Sequence, residues 1–206
     1  MDNFSDSPVS SGNLTQNSAN NAEREANVDV AKATSVYLAL GTNLGDRNVN
    51  LSEALRLIQH RCGKLLKISS IYETHPLPVP NVTQGTYYNM AVQLETELDP
   101  RALLDQLLDI EQVVGRNRKE EVMWGPRVID LDIISYGELT SLEENPQIPH
   151  PRYRSRDFVL LPIKELNPDF LDPKSGESVD SLLARIPAEA RTAFRKLPFS
   201  LSCPTN

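Results

Sequence analysis

Asp130 and Asp132 stand two residues apart in the otherwise apolar run 128–134. Side chains alternate across a strand, so on a strand both carboxylates project from one face. Ile129, Leu131 and Ile133 then turn to the other face, into a core. Adjacent carboxylates repel, and the remedies are a shared proton, an arginine or a divalent cation. Oxygen-only ligands of this kind suit Mg²⁺, which takes one or two carboxylates and completes its shell with phosphate oxygens and water. The bare D-x-D pattern is common, and alone it reads more readily as two solvated acids on an exposed sheet face.

The neighbours shift that balance. Arg116, Arg118, Lys119 and Arg127 surround the same stretch, and guanidinium forks match phosphate oxygens bidentately. Cations beside paired acids suggest a site for a metal–triphosphate; the alternative is a salt-bridged loop in which these arginines pair with Glu120 and Glu121. Neither a GxxxxGK[ST] phosphate loop nor a kinase glycine-rich loop occurs. Trp124 precedes Gly125-Pro126 in an expected turn, which favours partial exposure. Tyr87 and Asn89 form an i, i+2 pair facing one way on a strand, where an amide can read the edge of a flat heterocycle and an aromatic ring can cover its face. His150 and Arg156, taken singly, read as a turn histidine and a surface arginine.

These residues need elements to hold them. Residues 36–40 (VYLAL) read as a strand, followed by a helix carrying Leu51, Ala54, Leu55 and Ile58 at helical spacing. Residues 64–73 read as a second strand, a Pro-rich loop follows, and residues 87–97 alternate as a third. Asp99-Pro100 marks a helix start and Gly115 its stop, with Leu103, Leu107, Ile110 and Val114 as the apolar stripe between. A fourth strand is expected at about 127–136, then short helices near 156–166 and 179–186. The order β-α-β-β-α-β predicts a ferredoxin-like α+β sandwich, an antiparallel sheet with helices packed on one face.

The chain has 206 residues, a net charge of −7, 39% hydrophobic and 24% charged residues, which fits a globular protein with no global basic field for nucleic acid. No apolar run approaches a bilayer span. Cys62 and Cys203 make no metal or redox spacing, and a reducing compartment is expected. Residues 1–33 are too polar to offset their ordering entropy and are expected to be a disordered tail. The folded domain is expected over 34–195, with a flexible tail at 196–206.

Six motifs in register carry a family resemblance: LGTNLGDR (40–47), IYETHPL (71–77), YYNMAV (87–92), IEQVVGRNR (110–118), WGPRVIDLDII (124–134) and IPHPRYRSRDFVLLP (148–162). The chain resembles 6-hydroxymethyl-7,8-dihydropterin pyrophosphokinase of folate biosynthesis over roughly residues 35–186, and the block WGPR-x-x-DLD is its most specific part. The resemblance implies transfer of the β,γ-pyrophosphoryl group of ATP to the pterin hydroxymethyl group. It implies Asp130 and Asp132 as ligands of two Mg²⁺ ions, and Arg116 and Arg127 as the arginines that stabilise the transferred group. Glu111, Arg118, Ile133, His150 and Arg156 would serve the nucleotide and metals. Thr74, Leu77, Tyr87, Asn89, Trp124 and Phe158 would form the pterin pocket.

The chain departs from the family pattern at Met123, where a basic residue is usual, in a stretch 119–123 about one residue longer than in shorter relatives. It departs also at His75, where relatives often carry Pro, and at Leu108, where some are polar. With no partner domain of the pathway visible, a monofunctional, monomeric, cytoplasmic enzyme of small-molecule substrates is expected, binding neither nucleic acid nor membrane. A metal-dependent phosphohydrolase or nucleotidyl transferase using the same acids is the alternative. An RNA-binding module would need an aromatic RNP-type strand and a basic face, and neither is visible.

Overall fold

The computed structural model describes residues 33–118, 125–141 and 145–200, with side chains to residue 197. The expected tail at 1–33, apart from Ala33, lies outside the described residues. Strand β1 (Thr34–Thr42) sends Val36, Leu38 and Leu40 to one face and Tyr37 and Ala39 to the other. Helix α1 (Arg47–Arg61) starts at Asp46, whose carboxylate accepts the N–H groups of Asn48 and Val49 at 3.1 Å. These are two of the donors a helix start leaves unpaired. Strands β2 (Lys64–Ile68) and β3 (Ser70–Thr74) replace the single strand expected over 64–73. The break falls at buried Ser69: its N–H donates to the Ala91 carbonyl at 3.0 Å and its hydroxyl accepts the Ala91 N–H at 2.9 Å. The interruption therefore leaves no backbone group of Ala91 orphaned.

Strand β4 (Tyr87–Thr96) leads into α2 (Pro100–Val114). Asp99 caps α2 and Gly115, at φ 113°, ends it in the left-handed conformation expected of a C-terminal glycine. Strand β5 (Asp130–Tyr136), helices α3 (Asp157–Leu166) and α4 (Val179–Ala184), and strand β6 (Ala193–Ser200) complete the chain. The sheet is antiparallel in the order β5-β1-β4-β3-β6, with β2 also paired to β4. Its first five strands and α1 and α2 give the expected β-α-β-β-α-β order, with the second strand split.

Two expectations are corrected. Helices cover both faces of the sheet. Helices α1 and α2 pack on Leu38, Leu40, Leu131 and Ile133, while α3 and α4 bury Leu160, Ile163 and Leu182 against Tyr37, Ala91 and Ile134. The second face is apolar at its centre and needs its own cover. The boundary expected at 195/196 falls inside β6, which pairs with β3 from Thr74↔Ala193 to Ser70↔Ser200. An open β3 edge would present unpaired N–H and C=O groups, and β6 takes them up. Pro198 is compatible with this because β6 is an edge strand. No helix among the described residues is long and apolar enough to cross a membrane.

Candidate active site

The register of the three strands β5, β1 and β4 sets the site. Asp130, Gly41 and Asn89 lie in one cross-strand row, and Asp132, Ala39 and Ala91 in a parallel one. The two aspartates thus share a face, as alternation requires, over a floor of small residues. A Cβ on Gly41 would stand 2.8 Å from Asn89 Oδ1, so the amide reaches over β1 only because no side chain is there. Asn89 Nδ2 donates to Thr74 Oγ1 at 2.8 Å, which fixes the amide from the β3 side. Above this row opens a cleft of about 370 Å³.

One end of the cleft is ionic. Asp130 accepts from Arg116 Nη1 at 2.6 Å on one oxygen and from Arg127 Nη1 at 2.7 Å on the other. Arg116 Nη1 also reaches Glu111 Oε1 at 2.7 Å, and Arg118 Nε donates to Glu111 Oε2 at 3.0 Å. Glu111, 1% exposed, further accepts the Leu131 N–H at 2.8 Å. Burial raises its pKa against the opposing charges of Arg116 and Arg118. The β1–α1 loop holds Arg127 by its backbone: its N–H donates to Asn43 Oδ1 at 2.7 Å and its carbonyl accepts the N–H groups of Asn43 and Leu44.

The two aspartates differ in their surroundings. Burial pushes Asp130 up, but Arg127 and Arg116 outweigh it and hold the carboxyl below its ordinary range. Burial and then the charge of Asp130 push Asp132 up. Among the described residues no hydrogen-bond donor reaches the Asp132 carboxylate, and His150 Nε2 stands 3.8 Å from it. His150 Nδ1 accepts the Arg152 N–H at 3.2 Å, so the ring proton sits on Nε2. Burial, then Arg156 and Arg152, lower the His150 pKa to about 4, so this ring is neutral near pH 7.

This donor set fits Mg²⁺. Two carboxylates share a face, one of them lacking a hydrogen-bond donor and repelled by the other, and a dication relieves both conditions. Among the described residues no cluster of three or more His, Cys, Asp or Glu forms a metal cage.

The other end of the cleft is neutral. Tyr87 Oη donates to Gln84 Oε1 at 3.0 Å and lies 3.2 Å from the Gly125 carbonyl. Thr74, Pro76 and Leu77 from the segment ending β3 and following it, and Phe158 from the start of α3, line it, with the Arg156 guanidinium 5.6 Å from the Phe158 ring centre.

The structure brings together most of the residues singled out in the sequence. Thr74, Leu77, Tyr87, Asn89 and Phe158 line the same cleft as Arg116, Arg118, Arg127, Asp130, Asp132 and Arg156. Glu111 sits behind it, and His150 flanks Asp132. Ile133 is the exception: it is 5% exposed in the core shared with α2, on the face opposite the aspartates. Alternation along β5 decides this. Trp124 and Met123 lie outside the described residues, as do Glu120 and Glu121; among the described residues Arg116 pairs with Glu111 and Asp130, Arg118 with Glu111 and Arg127 with Asp130. Leu108 lines a second hollow, along α2 beside Arg116 and Arg118. Gly41, Gln84 and Arg152 also line the cleft and were missed. Gly41 and Arg152 stand inside quoted motifs, which was the available signal; Gln84 lies in the Pro-rich loop and offered none.

The family model described as 7,8-dihydro-6-hydroxymethylpterin-pyrophosphokinase (HPPK) matches residues 37–168. The chain is 44% identical over 131 residues to a Bacillus subtilis protein named 2-amino-4-hydroxy-6-hydroxymethyldihydropteridine pyrophosphokinase, covering 63% of this chain and 76% of that one. A Synechocystis protein of the same name is 38% identical over 154 residues, covering 74% of this chain and 76% of that one. The crystal structure of wild-type Plasmodium falciparum HPPK-DHPS has a similar fold, with a TM-score of 0.60 at 18% identity. That match covers 75% of this chain and 45% of the Plasmodium chain, so this chain spans under half of the longer one.

Proposed function

The chain belongs to the 7,8-dihydro-6-hydroxymethylpterin-pyrophosphokinase family, and from that premise we propose that it transfers the β,γ-pyrophosphoryl group of ATP to 6-hydroxymethyl-7,8-dihydropterin in an Mg²⁺-dependent reaction that releases AMP. The observation that carries this reading is the two-ended cleft. An ionic end suited to a metal–polyphosphate and a neutral end suited to a flat heterocycle meet along the single row Asp130–Gly41–Asn89.

In the reaction the pterin hydroxymethyl oxygen bonds to the β-phosphorus, the bond from that phosphorus to the α,β-bridging oxygen breaks, AMP departs and the hydroxyl proton passes to solvent. Asp130 and Asp132 would hold Mg²⁺, which would neutralise phosphate charge. Arg116 and Arg127 are already oriented by Asp130 and Glu111, so charge developing on the transferred group meets donors that need little reorganisation. Arg118 and Arg156 add positive charge for the nucleotide phosphates. Asn89, held by Thr74, offers an amide to the pterin edge, and Phe158 and Tyr87 flank the ring. This arrangement supplies rate through positioning more than through proton transfer.

The test is an incubation with ATP, Mg²⁺ and the hydroxymethyl pterin. AMP and the pterin diphosphate are the expected products. ADP, or nucleotide turnover that does not need pterin, would transfer the case to the phosphohydrolase or nucleotidyl-transferase reading.

A further inference from the structure

We propose that the tripeptide Thr192-Ala193-Phe194 is a clamp that sets the spacing of the two walls of the neutral end, and so sets affinity for the heterocycle without touching it. The inference rests on the pterin reading of that end. The two walls come from distant parts of the chain. One is the segment after β3, with His75, Pro76 and Leu77; the other is the start of α3, with Arg156 and Phe158. The tripeptide is bonded to both.

On the α3 side, the Asp157 carboxylate accepts three hydrogen bonds at 2.8 Å: from the Thr192 N–H, the Thr192 hydroxyl and the Ala193 N–H. Asp157 is 2% exposed, so these bonds are screened from water and hold their geometry. Its two sequence neighbours, Arg156 and Phe158, both line the cleft. On the β3 side, the Thr192 carbonyl accepts the His75 N–H at 2.9 Å. The Phe194 ring stacks on the His75 imidazole with centroids 4.4 Å apart and planes 30° apart.

Covering the β3 edge does not require these contacts. Backbone pairing of β6 with β3 does that alone. The Asp157 and His75 contacts instead fall on the residues that form or adjoin the two walls. Phe194 is 49% exposed, and its ring contact is the stack on His75. The tripeptide lies outside the family-matched residues 37–168, and its aromatic contact is with His75, a position where this chain leaves the family pattern. The clamp's contacts are to His75 and Asp157, with Phe158 next in sequence, so it predicts a larger effect on the heterocycle than on the nucleotide.

The experiment uses the full chain with Mg²⁺. It measures the Kd of the hydroxymethyl pterin in the presence of a non-hydrolysable ATP analogue, the Kd of that analogue alone, and KM and kcat for both substrates. The wild type is assayed first; absence of pterin-dependent AMP there removes the function and the clamp together. With wild-type activity established, Phe194→Ala and Thr192→Val are each expected to raise the pterin Kd and KM about five- to tenfold. Nucleotide affinity is expected to stay within about twofold. Phe194→Tyr, which keeps the stacked ring, is expected to restore pterin affinity. Unchanged pterin affinity in both variants overturns the clamp alone, as does an equal loss for pterin and nucleotide. Loss of cooperative unfolding in both variants would make the tripeptide a folding element and also overturns it.

Discussion

At one end of the cleft Asp130 is gripped by two guanidiniums, and a buried glutamate holds one of them in turn. At the other end the Asn89 amide donates one hydrogen bond to Thr74, and aromatic and aliphatic side chains line the walls. The ionic end is a mutually compensating set. Removing a single buried member leaves a partner charge uncompensated, which is costly. The neutral end has no such debt, and its residues can be changed one at a time with local consequences. The comparison teaches that charge handling and ring recognition are built from different interactions, though one row of three strands carries both. Variants at the ionic end should move turnover, and those at the neutral end should move pterin affinity.

The largest expected effect is at Asp132. Asp132→Ala should lower kcat by at least about 10³. Its thermal midpoint without metal should hold or rise, because the carboxylate removed is the one that burial and Asp130 disfavour. Steady-state AMP release and thermal melting read the two quantities; retained turnover would break the ionic-end assignment. Next is Asn89→Ala. It should raise the pterin KM by about 10- to 100-fold, the range for a lost buried hydrogen-bonding group, with the KM for ATP unchanged. If ATP binding suffers more than pterin binding, the two ends have been assigned the wrong way round.

Gly41→Ala sharpens the comparison where the ends meet. The new methyl would lie 2.8 Å from Asn89 Oδ1, so the amide must shift, and the pterin KM should rise by roughly three- to tenfold. A Gly41→Ala enzyme with wild-type pterin KM would show that the amide's reach over β1 is not needed.

The smallest expected effect is on stability and concerns the outer wall of the ionic end. The turn Tyr153–Ser155, which lies between Arg152 and Arg156, is anchored to buried Asp172 by Tyr153 Oη at 2.8 Å and by Arg154. Burial pushes Asp172 up, but bonds from Arg154, Ser175 and Tyr153 outweigh it and hold the carboxyl well below its ordinary range. A depressed folded pKa means the stabilisation is present above the unfolded value and is lost as pH falls. The midpoint should therefore drop between about pH 5 and pH 3, and Asp172→Asn should flatten that slope. Melting curves across this range provide the check, and an Asp172→Asn slope equal to wild type would remove Asp172 as the anchor.

Much of this was legible in the sequence because it is encoded between near neighbours. The alternation of residues 129–134 placed Asp130 and Asp132 on one face. That same rule put the Ile133 side chain in the core, on the face opposite the aspartates. Asp99-Pro100 and Gly115 marked the ends of α2 through local backbone preferences. The element order followed from such periods and stops, and the six motifs named the residues that gather in the cleft.

Other features depended on which strands came together and in what register. Gly41 faces Asn89 on one side and Asp130 on the other, across 48 and 89 residues of chain. Glu111 reaches the Leu131 N–H only when α2 packs beside β5. The strand at 193–200 and the Phe194–His75 stack exist because β3 had an edge to fill. Short-range steric and hydrogen-bond preferences write a period of 2 or 3.6 into the sequence, whereas pairing between distant segments is settled by the packing of the whole sheet.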